Sequence, residues 1–311
     1  MPRQEFEVVV VGAGPAGLTA GLYSARANLR TAILERAGPG GQLVNTEAIE
    51  DWPGEERING FELAEKFERH TRKFGAQIVT ATVSQIYLEN GWKIVETDEG
   101  DSYAALALIV AAGGEPRKLE VAGEEELRGR GVSYCAVCDG PFFRDEVVAV
   151  IGGGDSALQE AVYLTRFAAK VILVHRRDEF RAQKHLQESV FTNPKIEVVR
   201  NHIVQEIGGT DKVQYLKTQD VNGGSVRTLE LGGVFIFVGF TPNGPRLFRN
   251  HIEHDEQCYI LTDNRMETAI PGVFAAGDTR SQLARQITTA VGDGTTAAIA
   301  AEQYIEGIRK K

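Results

Sequence analysis

Three cysteines occur in 311 residues, and two of them stand in the run Cys135-Ala136-Val137-Cys138-Asp139. A Cys-x-x-Cys pair spans one helical turn, so one thiol can sit at a helix N-terminus that favours its thiolate while the other is placed to close a disulfide. A free thiol of pKa ~8.5 is only a few per cent ionised at neutrality, so chemistry at such a pair needs a group that takes and gives protons. Asp139, beside Cys138, is a carboxylate within reach of a sulfur and a candidate general acid and base; the competing account makes it an exposed turn acid ahead of Gly140-Pro141. The same spacing also serves zinc, but a tetrahedral site wants further ligands. The nearest downstream histidine, His175, and the third cysteine, Cys258, stand at no zinc-knuckle spacing. Electron transfer through sulfur is the favoured chemistry. Cys258, ahead of Tyr259-Ile260-Leu261, is expected to be an ordinary buried thiol.

Electrons must reach the pair from somewhere, and the sequence offers two candidate nucleotide sites. The apolar run from Phe6 to Val11 leads into Gly12-Ala13-Gly14-Pro15-Ala16-Gly17 and a helical stretch to about Ala27. The next strand, Thr31-Ala32-Ile33-Leu34, ends on Glu35, 23 residues after Gly12, which is the acidic position of a dinucleotide-binding βαβ unit. The glycines allow the tight turn, let the backbone approach a pyrophosphate and permit close packing of helix on strand, while the helix N-terminus adds its dipole and free N–H groups. A carboxylate at the end of the second strand accepts from both ribose hydroxyls and repels a 2′-phosphate. The first site is therefore expected to hold an adenosine diphosphate moiety without that phosphate.

The pattern recurs 14 residues after Cys138, where Val147-Val148-Ala149-Val150-Ile151 runs into Gly152-Gly153-Gly154-Asp155-Ser156-Ala157 and a helix to about Phe167. Ala157 replaces the third glycine, which the fingerprint tolerates. The following strand, Val171-Ile172-Leu173-Val174, ends on His175-Arg176-Arg177, with His175 again 23 residues after the first glycine. Arg176 and Arg177 suit a 2′-phosphate that Glu35 would reject, because the guanidinium fork pairs phosphate bidentately, and Arg181 extends the cluster. Each feature alone fits a packing turn or a solvated basic face. Matched spacing with opposite charge at the equivalent point favours two nucleotide sites.

These sites need two domains, and the length allows two full cores. The 43 acidic and 34 basic residues give a net charge of −9, which disfavours general nucleic-acid or membrane-surface binding. No apolar run approaches the ~18 residues of a membrane span, and no signal-peptide h-region precedes Phe6, so a cytoplasmic location is expected. Ile270-Pro271-Gly272-Val273-Phe274-Ala275-Ala276-Gly277-Asp278 reads as a turn, a short buried strand and a glycine-acid corner. Joined to the first sheet, that strand brings Asp278 to the C-terminal edge, where ligands sit in open α/β folds. The strand ending Val110-Ala111-Ala112-Gly113-Gly114 finishes in the same way, with glycines that allow close ligand approach. The expected layout is a discontinuous first domain, 1–115 with 245–311, and an inserted second domain, 116–244, carrying the dithiol.

On these residues, with Gly40-Gly41-Gln42-Leu43, Asp51-Trp52-Pro53-Gly54 and Arg285-Gln286-Ile287-Thr288-Thr289-Ala290, the chain closely resembles the low-molecular-weight bacterial thioredoxin reductases. The resemblance covers nearly the whole chain. It implies an α/β fold of two Rossmann-like dinucleotide-binding domains, the second inserted into the first, with FAD in the first and NADPH in the second. Electrons would pass from NADPH to FAD, then to the Cys135/Cys138 dithiol, then to thioredoxin or a thioredoxin-like protein, with one domain rotating against the other. By motif position Gly12, Gly14, Pro15, Ala16, Gly17, Glu35, Gly41, Gln42, Leu43, Asn45, Ala111, Gly113, Gly277, Asp278, Arg285, Gln286 and Ile287 would serve FAD. Gly152, Gly154, Asp155, Ser156, Ala157, His175, Arg176, Arg177 and Arg181 would serve NADPH. The resemblance further implies a homodimer, Cys138 as the flavin-facing thiol and Asp139 as the proton relay; spacing alone does not order the sulfurs. Ala112, Gly114 and Asp155 depart from the residues common in that family. A flavin-dependent dithiol oxidase or ferredoxin-linked reductase also resembles the chain but generally lacks a basic cluster such as His175-Arg176-Arg177. A nucleotide sensor without turnover would have no use for the dithiol.

Overall fold

Alternation from Val8 to Val11 sets the architecture: Val8 and Val10 enter one apolar cluster, Val9 and Val11 another that also takes Phe6, and all five are buried. A strand buried on both sides belongs to a sheet covered on both faces. The computed structural model describes residues 3–46, 49–249 and 251–310, with Asn45 described in its backbone only. In chain order it runs β1 (Gln4–Val11), α1 (Pro15–Arg26), β2 (Thr31–Glu35), a 3-10 turn (Gly41–Asn45), α2 (Gly60–Lys73), β3 (Gln77–Thr80), β4 (Val83–Glu89), β5 (Trp92–Thr97), β6 (Ser102–Val110) and β7 (Gly114–Pro116). There follow β8 (Val132–Ser133), the one-turn helix α3 (Ala136–Asp139), β9 (Val147–Gly152), α4 (Asp155–Leu164), β10 (Lys170–Val174), α5 (Lys184–Phe191), β11 (Ile196–Val199), β12 (His202–Gly208), β13 (Tyr215–Asp220), β14 (Val226–Glu230) and β15 (Gly233–Phe237). The chain closes with β16 (Phe240–Pro242), α6 (Gly244–Leu247), β17 (Val273–Ala275) and α7 (Ile287–Arg309).

Two compact units result, one of residues Met1–Glu115 with Thr241–Lys311 and one of Pro116–Phe240. The return crossing lies at 240/241, four residues before the expected 244/245. Asn243 already belongs to the first unit, its backbone N–H donating to Gly113 O at 3.0 Å and its side-chain amide to Ala112 O at 3.1 Å.

In the first unit β3, β2, β1 and β6 form a parallel sheet. The other edge of β6 is shared: its first half pairs antiparallel with β5, while Leu108–Val110 pair parallel with β17. That short strand puts Gly277 and Asp278 just beyond the C-terminal edge of the sheet. Helices α1 and α7 pack against each other through small residues, since a Cβ on Gly294 would stand 2.3 Å from Ala16 O. In the second unit β11, β10, β9, β15 and β8 form an all-parallel sheet. Val148 and Val150 face the cluster of α4 and α5. Ala149 and Ile151 face the cluster that includes the β12–β14 meander.

The segment entering β8 is anchored by a buried carboxylate that the sequence did not flag. Glu124 is 2% exposed. It accepts from Leu119 N–H at 2.9 Å, Glu120 N–H at 2.7 Å and Tyr134 O–H at 2.7 Å. Burial and this bond hold the Tyr134 phenol above its ordinary pKa. Three donors converge on one carboxylate, so a group that adds its own donor there is penalised. Glu124→Gln is expected to destabilise the second unit by about 2 kcal/mol, measured by urea unfolding followed by circular dichroism.

Candidate active site

Cys135 and Cys138 are joined as a disulfide, with Cα atoms 5.3 Å apart. Cys135 is the N-cap of α3 in extended conformation, and its sulfur accepts from Cys138 N–H at 3.2 Å. The sulfur thus occupies the capping position at a helix start, where the same N–H would support a thiolate after reduction. Asp139 closes α3, and its Oδ2 accepts from the Ser133 hydroxyl at 2.5 Å. Ser133 Oγ in turn accepts from Cys135 N–H at 3.1 Å. The carboxylate is therefore tied through one hydroxyl to the backbone of the first cysteine. The exposed-turn account of Asp139 does not hold, since the residue is partly buried and bonded. Cys258 overturns its expectation as well: it is exposed. Its φ of 67° and its N–H bond to Asp255 O at 3.0 Å place it at a tight turn, and burial passes to Tyr259 and Ile260.

Around the first glycine turn, residues far apart in sequence converge. Gly12 has φ 101°, and a Cβ there would lie 2.4 Å from Ala111 O; on Gly17 it would lie 1.8 Å from Gly12 O. These two glycines are demanded by packing. Gly14 differs, because its Cβ position meets nothing nearer than Gly41 Cα at 3.9 Å. It is the N-cap of α1 and supplies no side-chain cap, with Pro15 in the first turn. The helix N–H groups beyond it remain available to an anion. Gly40 N–H donates to Ala13 O at 2.7 Å, and Ala16 lies against Gly277. Gln42 Nε2 donates to Gly114 O at 3.2 Å, next to Gly113. Leu43 and Ile287 share a small apolar cluster. Glu35 accepts from Ala13 N–H at 2.8 Å and from Ala37 N–H at 3.2 Å, which orients the carboxylate at the end of β2. The expectation for the Asn45 side chain lies outside the described structure.

Beyond β17 the acid of the glycine-acid corner is partly buried. Burial raises the Asp278 carboxyl to about 6, with Arg285 opposing and Asp293 adding to the rise. Asp293 itself is paired with Arg280 at 3.2 Å and accepts from Gly277 N–H at 3.0 Å. Arg285 lies over the Tyr259 ring at 4.0 Å, and its buried Nε has no hydrogen-bond partner among the described residues. Gln286 caps α7 in a capping box with Thr289. A donor without an acceptor beside a carboxyl held out of water is an arrangement a polar ligand would complete.

The second turn repeats the logic with different chemistry. On Gly152 a Cβ would lie 2.5 Å from Phe237 O, while Gly154 has open space and caps α4 without a side-chain bond. Ala157 is fully buried and Ser156 exposed. His175 is 7% exposed, its ring under Gly153 and against Phe180 at 5.0 Å. Its Nε2 bonds Glu179 O at 3.0 Å, and burial depresses its pKa. His175 therefore shapes the basic loop from below, whereas Arg176, Arg177 and Arg181 are exposed. None of the three makes an ion pair among the described residues. Asp155 receives Gln183 N–H at 2.8 Å and its amide at 3.1 Å, fastening the far end of that loop to α4. Sequence reasoning missed Ser133, Glu124 and Gln183. Ser133, a hydroxyl two residues before Cys135, was the one with a readable signal.

Residues 6–294 match the model of the pyridine nucleotide-disulphide oxidoreductase family. The chain belongs to that family. It is 46% identical over 306 residues to a thioredoxin reductase of Bacillus subtilis, covering 98% of this chain and 96% of the relative. A thioredoxin reductase of Listeria innocua matches at the same identity, with 98% and 95% covered. Among solved structures, the thioredoxin reductase of Streptococcus pyogenes superposes with a TM-score of 0.93 at 46% identity, covering 98% of this chain and 100% of that one. The enzyme from Giardia duodenalis gives 0.93 at 36% identity, with the same coverage. A pyridine nucleotide-disulphide oxidoreductase fold with two glycine-turn sheets is what these family members share with this chain.

The Asp278 carboxyl yields a signed prediction. With its folded pKa near 6 and an unfolded value near ~3.9, the folded chain binds the proton more tightly. Its contribution is neutral below about pH 4 and becomes unfavourable as pH rises through about 6. In the cofactor-free protein, Asp278→Asn is expected to be more stable than the parent at pH 8 by up to about 3 kcal/mol. The difference should vanish near pH 4, as followed by denaturant unfolding at both pH values.

Proposed function

We propose that the protein is an NADPH-dependent thioredoxin-disulfide reductase, with FAD held by the first unit and NADPH by the second. The observation that carries this reading is the Cys135–Cys138 disulfide capping α3, with its carboxylate tied alongside, in the same unit as a glycine turn beside three exposed guanidiniums that make no ion pair among the described residues. The residues fit both groups. At the first turn Gly14 leaves room for a pyrophosphate on the bare start of α1, Glu35 stands ready for ribose hydroxyls, and Arg285 offers a buried Nε with no partner among the described residues near the Asp278 carboxyl. At the second, Gly154 and the start of α4 leave the same room, and Arg176, Arg177 and Arg181 suit a 2′-phosphate. Bound FAD supplies a two-electron carrier between the nicotinamide and the disulfide.

The remaining steps belong to the chain's own side chains. Reduction opens the Cys135–Cys138 bond, and one resulting thiolate attacks the thioredoxin disulfide. Cys138 N–H stabilises the Cys135 sulfur where negative charge develops. Asp139 moves the proton between attacking and leaving sulfurs. The second thiol then closes the ring again and releases reduced thioredoxin. This reading carries with it a cytoplasmic enzyme, a homodimer and thioredoxin or a thioredoxin-like acceptor. In its favour, no helix among the described residues is long and apolar enough to cross a membrane. The basic loop disfavours the dithiol-oxidase and ferredoxin-linked alternatives.

Anaerobic titration tests the reading: NADPH should bleach the flavin and added oxidised thioredoxin should restore its colour, and no bleaching by NADPH would refute it. Cys138→Ser is expected to keep NADPH-driven bleaching and lose thioredoxin reduction by at least about 1,000-fold in steady-state assay. Arg176→Ala with Arg177→Ala should raise KM for NADPH by about tenfold or more while changing KM for NADH by less than about threefold.

A further inference from the structure

Ser133 carries a role that the resemblance does not assign. It ends β8, paired beside Phe235, and is 5% exposed. Its hydroxyl is engaged on both sides: Oγ accepts from Cys135 N–H at 3.1 Å and donates to Asp139 Oδ2 at 2.5 Å, with Cys135 O a longer alternative acceptor at 3.2 Å. A hydroxyl has one proton to donate. While the amide of Cys135 occupies the oxygen, that proton is directed to the carboxylate, so the bond favours the ionised form of Asp139.

We propose that Ser133 is the positioning residue for proton transfer at the redox centre, holding Asp139 as a carboxylate aimed at the cysteine turn whenever the disulfide is closed. The inference rests on the proposed role of Asp139. In the exchange step the attacking thiol gives its proton to that carboxylate and its sulfur lone pair to the new S–S bond. The pair from the broken thioredoxin disulfide leaves on the departing sulfur, which takes the proton back from Asp139. Ring closure repeats the exchange with the second thiol, so two protons and two electrons leave the dithiol and two of each arrive on thioredoxin. The carboxylate ends each cycle ionised, in the state the Ser133 hydroxyl supports. Other ionisable groups packed around α3 are Glu160 and Tyr163 on α4 and Arg166 just beyond its end, which with Val137 line a cleft of about 260 Å³, and Tyr134 with Glu124 behind β8. These stay unchanged when Ser133 is replaced.

The test compares Ser133→Ala, Ser133→Thr and Asp139→Asn in the flavin-loaded enzyme. Ser133→Ala should retain its flavin and the rate of NADPH-driven bleaching, which shows that the fold is intact. Its kcat for thioredoxin reduction should fall about tenfold with KM for thioredoxin within about twofold. Loss of a donor to the carboxylate should move the acidic limb of its pH profile up by about one pH unit. Ser133→Thr, which keeps a hydroxyl, should recover most of kcat and the original profile. A Ser133→Ala enzyme with unchanged kcat and pH profile, or a Thr enzyme that bleaches normally yet matches the Ala enzyme in turnover, overturns the inference. If Asp139→Asn itself reduces thioredoxin at the parent rate, the proposed role of Asp139 fails and this inference with it. If Asp139→Asn is impaired and Ser133→Ala is not, only the inference fails.

Discussion

Close approach of backbone to backbone at two strand-to-helix turns is the constraint on which the rest of this molecule depends. Gly12 against Ala111 O and Gly17 against Gly12 O leave no volume for a side chain, and Gly152 against Phe237 O repeats the restriction in the second unit. These contacts drive each helix start down onto the end of its strand, so N–H groups that would otherwise be capped by a side chain face a groove. Gly14 and Gly154 are different in kind. No neighbour crowds them, so the protein's own packing does not demand their bareness. A glycine at the N-cap costs only about a few tenths of a kcal/mol relative to a side-chain cap, and an anion on the bare N–H groups offsets that.

Much of this was legible because the constraint is written in residue types. Strand periodicity, glycine spacing and the residue at the end of the second strand are local, and β1, α1, β2 and β9, α4, β10 form where those patterns stand. Val273–Ala275 was also readable, since a short apolar run between a Pro-Gly turn and a glycine-acid corner needs a sheet to join, and it pairs with β6. What the sequence hid is long-range and polar. Glu124 looks like one acid in an acidic run, yet three donors gathered by folding make it an anchor. Cys258 misled for the converse reason: its apolar neighbours turn inward and a left-handed backbone turns the thiol out.

His175 shows why spacing identifies a position but not a role. It occupies the place equivalent to Glu35, yet its ring is spent beneath Gly153 and on Glu179 O. Glu35 bonds the backbone of its own glycine turn and still ends at the strand edge. The first unit thus places a charge at that edge directly. The second uses a buried imidazole as a pedestal, and the charge moves one and two residues on, to Arg176 and Arg177.

That difference fits the ligands proposed for the two turns. Ribose hydroxyls are neutral donors, and a single oriented carboxylate satisfies two of them. A phosphate is a compact charge that needs several donors, and donors on long side chains need a rigid base if their fork geometry is to be preserved. Three ties supply the base here: His175 to Glu179, Arg181 N–H to Gly153 O at 2.9 Å, and Asp155 to Gln183. Each bonds backbone or a capping residue, and none consumes a guanidinium. The loop is held stiff while its three guanidiniums make no ion pair among the described residues, the combination that a selective anion site requires.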